Sequence, residues 1–333
     1  MQIIDEALSA LELGSPAQFQ NLQVYPLFST GSETPDYLTL DEALGPGLAQ
    51  VTEISEQGHV PELRFENLCE NPILLIDGEE LVGARQNRVL NVSILVGGMR
   101  KIVVPVSCVE QGRWSYRSRD FSSAGRNLYA KARADKMRHV SASMRASGRR
   151  DSDQVALWQS IAEKHASFSV DSETHAMADI YEQRSEALEQ YVRAFKPADK
   201  QAGAVFAISG RVRGLELFDS AATFSKFLQK VVQSYALDAI EESAVDSSRR
   251  AGRVSGQNEG SSLGENVATR EKVKRFLAAI QRVNGTRVPG VDQGEDVRLE
   301  SATLAGGALV NGDRVIHLAV FNTEETENGA RST

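Results

Sequence analysis

Two short stretches hold the residues best suited to chemistry. The first is Asp77-Gly78-Glu79-Glu80-Leu81-Val82-Gly83-Ala84-Arg85-Gln86-Asn87-Arg88; the second is Ser107-Cys108-Val109-Glu110-Gln111-Gly112-Arg113-Trp114. Each is a dense polar cluster at the end of an apolar run. Carboxylates with separated pKa values serve as general acid and base, which makes Glu79, Glu80 and Glu110 the catalytic candidates. Arginine forks match phosphate oxygens at two points, so Arg88 and Arg113 form a candidate phosphate clamp. Gln86 and Asn87 supply orienting amides, and Trp114 offers a stacking wall. Neighbours in an extended strand face opposite sides. The working acid/base pair is therefore expected to be Glu79 or Glu80 with Glu110, rather than Glu79 with Glu80. The bland alternatives are a solvated turn at Glu79-Glu80, the start of an exposed strand at 86–88, and a core role for Trp114.

Other chemistries find little support. There is no P-loop, no strand-linked G-x-G-x-x-G, no H-E-x-x-H, no C-x-x-C and no G-x-S-x-G. The histidines His59, His139, His165, His175 and His317 are scattered, so no metal site is expected and no cofactor is named. Cys108 continues an apolar alternation and reads as a small buried hydrophobe rather than a nucleophile.

The elements that must position these residues follow from periodicity. Alternation at 89–96 and 101–108 around Gly97-Gly98 predicts a hairpin whose open end brings 88 and 109 together. Pro105 places the second strand at an edge or bulge. The first hundred residues otherwise read as strands, including 22–28, 63–65 and 73–76. Helical spacing predicts helices over 154–165, over 174–195 with Pro197 as the stop, and from Asp219-Ser220 through Tyr235. A fourth is predicted to open at Ser262-x-x-Glu265 and reach Val283. Hairpins are expected at 204–218 and 308–321, a surface connection at 243–261 and a disordered tail at 323–333. The fold class is α+β, mainly antiparallel sheet with four or so packed helices. One domain is expected over 15–322: β-rich at 15–114, basic at 115–150, helical and mixed at 151–322.

The 333 residues are 41% hydrophobic and 25% charged, which is a globular composition. No apolar run is long enough to span a bilayer. The N-terminus lacks signal-peptide features, and there are only two cysteines, Cys69 and Cys108. A cytoplasmic protein with no membrane partner is therefore expected. Net charge is −8 but unevenly spread: residues 113–150 hold eleven Lys and Arg against two acids, net +9, which leaves −17 elsewhere. Such a segment answers either an anionic ligand, a nucleic acid or the chain's own acidic remainder.

The two polar stretches, extended to 74–88 and 104–114, resemble the ADP-ribosylglycohydrolase- and rhodanese-phosphatase-associated protein family. Further similarity lies at 154–158, 210–219, 234–237 and 317–321, so the likeness runs from about residue 15 to 322. It implies a context among enzymes of NAD and ADP-ribose metabolism, but assigns no reaction. The combined expectation is a domain that binds or acts on a phosphorylated, nucleotide-like small molecule by carboxylate chemistry. The alternatives are a non-catalytic nucleotide sensor and a nucleic-acid binder using residues 113–150.

Overall fold

The structure is a computed structural model that describes residues 1–29, 34–55, 60–251 and 267–324. The chain opens with α1 (Gln2–Ser9), β1 (Glu12–Leu13), β2 (Ala17–Phe19), β3 (Leu22–Phe28), β4 (Leu38–Thr39) and α2 (Leu40–Leu44). Eight strands follow: β5 (Ala49–Glu53), β6 (Glu62–Asn67), β7 (Ile73–Leu75), β8 (Glu79–Gly83), β9 (Arg88–Leu90), β10 (Ile94–Val96), β11 (Lys101–Cys108) and β12 (Phe121–Asn127). Next come α3 (Ala130–Ser147), α4 (Gln154–Phe168), α5 (Met177–Gln183) and α6 (Ser185–Ala194), then β13 (Gln201–Ile208) and β14 (Arg211–Phe218). The chain finishes with α7 (Ala221–Ala251), α8 (Arg270–Gln281), β15 (Thr286–Pro289), β16 (Glu295–Glu300), β17 (Leu304–Asn311) and β18 (Arg314–Asn322). The α+β class is as expected, although eight helices among the described residues exceed the four anticipated.

The scaffold is a large antiparallel sheet in the order β1-β3-β13-β14-β18-β17-β16-β15, with β2 also on β3. One face packs under α3 to α7 through Phe206, Phe218, Phe227, Tyr235 and Phe321. The other face meets α1 and α8 through Ile4, Leu8, Val273 and Ile280. A second sheet has the order β12-β8-β9-β11-β6-β5. An antiparallel bridge between Thr52 on β5 and Asp120, just ahead of β12, joins its two edges, and Gln50 Nε2 donates to Asp120 Oδ1 at 3.1 Å. The six strands thus close into a small barrel, with Val51, Leu63, Phe65, Leu81, Leu90, Val104, Val106 and Phe121 in one core cluster.

Several local expectations change. The 89–96 run is not one strand and Gly97-Gly98 does not join it to 101–108. β10 instead pairs with β7, because Asn91 and Ser93 break the ladder to bond elsewhere. Asn91 Oδ1 accepts from Ser107 Oγ at 2.7 Å, and Ser93 Oγ accepts the Asp77 amide at 3.0 Å. Gly98 lies so close to the Glu70 carbonyl that an added Cβ would sit 2.0 Å away. β11 still pairs antiparallel with β9, Arg88 opposite Cys108, so the predicted meeting of 88 and 109 occurs. Pro105 sits where β11 changes partner from β6 to β9, the place in a ladder where a missing N–H is tolerated.

The β-rich opening also contains α1 and α2, the latter fixed by a Thr39–Glu42 capping box. The 174–195 helix breaks at Arg184 into α5 and α6. Basic residues 115–150 form β12 and an ordered α3 ended by Gly148 at φ 73°. α7 continues through Ala251, beyond the predicted loop start at 243. Residues 252–261, the Ser262-x-x-Glu265 box and the tail beyond 324 lie outside the described residues, and α8 is capped by Thr269.

α3 carries two fully buried cations, Arg133 reaching Glu216 on the large sheet and Lys136 facing Asp77 and the carbonyls of Leu90 and Asn91 beside the second sheet. Arg133 bonds Glu216 at 2.6 Å and Asp77 at 3.2 Å, and Lys136 also pairs with Asp77. Burial pulls Lys136 down to about 8 even with Asp77 opposing it. Removing one partner of such a group strands the others without solvent. Arg133→Met is expected to lose about 3–5 kcal/mol in urea denaturation; a loss under about 1 kcal/mol would show that the carboxylates find other partners.

Candidate functional site

The two polar stretches meet where β8 and β9 turn beside the end of β11. Val109 N–H donates to Asn87 O at 3.1 Å, and the side chains interlock around Glu110. Arg113 grips that carboxylate through Nε at 2.9 Å and Nη2 at 2.7 Å. The Asn87 amide donates to Glu110 Oε2 at 3.1 Å and Thr174 Oγ1 to Oε1 at 3.0 Å. Asn87 Nδ2 reaches Glu80 Oε1 at 3.1 Å, while Arg126 bonds the other Glu80 oxygen at 2.5 Å. Gln86 donates to the Glu110 carbonyl at 2.8 Å and accepts from Arg88 Nη1 at 3.3 Å. Glu79 points the opposite way, as strand alternation requires, and pairs with Lys230 at 2.6 Å and the Ile76 amide at 2.8 Å.

This cluster is sealed. Glu79, Glu80, Glu110 and Arg88 are fully buried, and Gln86, Asn87 and Arg113 are 5% exposed or less. Trp114 stays on the surface at 47%. The two interacting carboxylates differ in protonation behaviour. Burial pushes Glu80 up, with Arg126 and Asn87 only partly offsetting it. Burial also acts to raise Glu110, but Arg113, the Asn87 amide and Thr174 outweigh it and hold that group below its usual range. Cys108 beside them is a free thiol whose pKa burial raises against the pull of Arg88.

The network also fixes backbone. Arg113 Nη1 donates to the carbonyls of Ala84 at 2.7 Å and Ser115 at 2.9 Å, and Nη2 reaches that of Gly83 at 3.3 Å. Ser118 Oγ accepts the Ala84 amide at 3.0 Å. These bonds hold the segments bearing Arg85 and residues 116–119 over one mouth of the barrel. There an open cleft of about 1020 Å³ is lined by Thr52, Glu53, Ile54, Ser55, Arg64, Arg85, Tyr116, Arg117, Ser118 and Arg119. The Arg85 guanidinium carbon lies 4.4 Å from the Tyr116 ring centre and 5.6 Å from that of Trp114. None of Glu79, Glu80, Gln86, Asn87, Arg88, Glu110, Arg113 and Trp114 is among the residues lining the concavity; the predicted cluster lies behind it, and Arg113 bonds the backbone next to Arg85 and Tyr116. Sequence reasoning singled out neither Glu53, Arg64 nor Tyr116. Arg117 and Arg119 entered only as members of the basic segment.

A family model described as the ARG and Rhodanese-Phosphatase-superfamily-associated Protein domain matches residues 10–321. The chain belongs to this family. No curated protein and no solved structure matches it. The family match covers both polar stretches and every residue of the cleft.

The basic segment is answered largely from within. Arg113, Arg126, Arg133, Lys136, Arg145, Arg149 and Arg150 all pair with the chain's own carboxylates. Arg117 and Arg119 have no such pair among the described residues and line the cleft. Among the described residues no group of three metal-ligating side chains occurs, and no helix is long and apolar enough to cross a membrane.

Two outcomes test this frame. Gly83 adopts φ 141° with Asp120 O 2.5 Å from where a Cβ would stand, so Gly83→Ala should both destabilise the fold and raise proteolytic cleavage at 116–119. Unchanged cleavage there would separate that arm from β8. The folded pKa of Glu110 lies below its unfolded value, so its stabilisation is present above that unfolded value and lost as pH falls through the folded one. The stability gap between wild type and Glu110→Gln should therefore narrow as pH falls below the group's ordinary value of 4.5; a gap that widens on acidification would contradict the assignment.

Proposed function

We propose that the protein binds a phosphorylated, nucleotide-like small molecule of the ADP-ribose or NAD-derived class in the cleft at the barrel mouth. The observation that carries this is the convergence of four arginines, Arg64, Arg85, Arg117 and Arg119, with Tyr116 on one concave surface. Guanidinium forks suit phosphate oxygens, and an aromatic ring beside them suits a base or sugar face. The cleft volume stands at the upper end of the roughly 300–1,000 Å³ usual for small-molecule sites, which favours an extended ligand over a simple anion. Membership of a family named for its association with ADP-ribosylglycohydrolase-type and rhodanese-phosphatase proteins is consistent with this ligand class.

The candidate phosphate clamp is thus redistributed. Arg113 is committed to Glu110 and acts by placing the cleft walls, as do Gln86 and Asn87. Acid/base turnover is the second form of the proposal, favoured by the opposite displacement of the Glu80 and Glu110 pKa values. It requires the ligand to open a path to carboxylates that are buried and satisfied. Binding as a sensor requires no such rearrangement. Nucleic-acid binding by residues 113–150 loses most of its uncompensated charge to the internal ion pairs.

Calorimetry with ADP-ribose, NAD and inorganic sulfate tests the proposal. Selective binding of the nucleotides is expected. Arg117→Ala combined with Arg119→Ala should weaken it by roughly tenfold or more, since a charged hydrogen bond contributes about 1.5–3 kcal/mol. Both residues are exposed, so the denaturation midpoint should hold. No response to either nucleotide would end the proposal. Product analysis with Glu110→Gln then tells turnover from binding.

A further inference from the structure

Strand alternation turns Glu53 inward with Ala49 and Val51, and Arg88 inward with Leu90, at the same end of the barrel. Glu53 lines the arginine cleft yet is only 8% exposed, and neither of its carboxylate oxygens has a hydrogen-bond partner. Arg88 is fully buried; its Nη1 bonds Gln86 and Asn87, while Nε and Nη2 have no partner. The two charges act on each other, but no direct ion pair joins them. Unpaired charged atoms in a dry interior are costly, so this arrangement asks for a group that satisfies both.

The choice of group is narrow. A phosphate would suit Arg88 but repel Glu53, and an ammonium would do the reverse. An apolar group would leave both unpaired. A hydroxyl donates to the carboxylate and accepts from the guanidinium at once. Two adjacent hydroxyls would engage both Glu53 oxygens while one of them still accepts from Arg88. Arg64, Arg85, Arg117 and Arg119 line the same cleft as Glu53.

We propose that Glu53 and Arg88 form a hydroxyl-reading floor that makes the cleft selective for the vicinal diol of a ribosyl phosphate. This rests on the rim arginines being the phosphate site and requires the sugar to open a path past Glu53 to Arg88, which is fully buried and not among the residues lining the cleft; it specifies what lies beyond the phosphate. Arg88, a phosphate ligand in the sequence-based expectation, here contacts a sugar hydroxyl instead.

The test is calorimetry on the full chain with three probes: ribose 5-phosphate, 2-deoxyribose 5-phosphate and inorganic pyrophosphate. Wild type should bind the ribosyl compound about tenfold or more tightly than the deoxy compound, the factor expected when a charged group loses its hydroxyl partner. Glu53→Gln should bring the two sugars to within about twofold while pyrophosphate affinity is retained. Discrimination by the wild type is informative even if the variant folds poorly. Equal affinity for both sugars, with pyrophosphate also bound, would overturn the diol floor and leave the phosphate rim standing; the unpaired atoms would then be served by water alone. Failure of all three probes to bind would remove the rim and the floor together.

Discussion

The grip of Arg113 on Glu110 is the contact on which the rest of the site depends. Both groups are withdrawn from water, and such a pair is stabilising only when its remaining donors and acceptors are met. Here they are met by structure-bearing groups. The other guanidinium hydrogens hold the carbonyls of Gly83, Ala84 and Ser115, and the free edges of the carboxylate take the Asn87 amide and the Thr174 hydroxyl. One ion pair therefore ties the end of β8, the start of β9, the arm ahead of β12 and the segment ahead of α5. Two of the segments it holds, the turn bearing Arg85 and the arm at 116–119, line the cleft.

The same logic extends through the molecule. Lys230 bridges Glu79 and Asp41, Lys164 bridges Asp238 and Glu241, and Arg133 spans Asp77 and Glu216. Each places a helix cation between two acids from other elements. Helix α3, poor in large apolar side chains, is positioned on the sheets as much by these polar anchors as by Met137 and Val140. The uneven charge along the sequence is thus mostly a map of internal joints. Of the basic segment's cations without a carboxylate partner among the described residues, Arg117 and Arg119 line the cleft at the barrel mouth.

The hairpins at 204–218 and 308–321 were legible because period-two patterning and Gly or Asn turns act over short distances. So was the meeting of Arg88 with the end of β11, which depends on a single antiparallel pairing. Strand partners were less legible. Whether 89–96 stays one strand is decided by Ser107, Asp77 and His317, which offer Asn91 and Ser93 better bonds than the ladder does. Closure of the barrel through Thr52 and Asp120 joins residues whose local patterns say nothing of each other. The polar cluster was found by its density, and density marked the supporting frame rather than the concave surface. Glu53 did carry a signal: an acid at the inward position of the Ala49, Val51 alternation.

The margins of the large sheet bear on how copies of this chain meet. One edge is β1, two residues long, with β2 of three residues beside it on β3; the other is β15, four residues ending in Pro289 and carrying Arg287. Short, charged and proline-terminated margins offer a poor template for a strand from another molecule. The nine-stranded sheet is thus finished at both sides, which disfavours growth by edge-to-edge addition and protects a long hydrogen-bonded surface from aggregation.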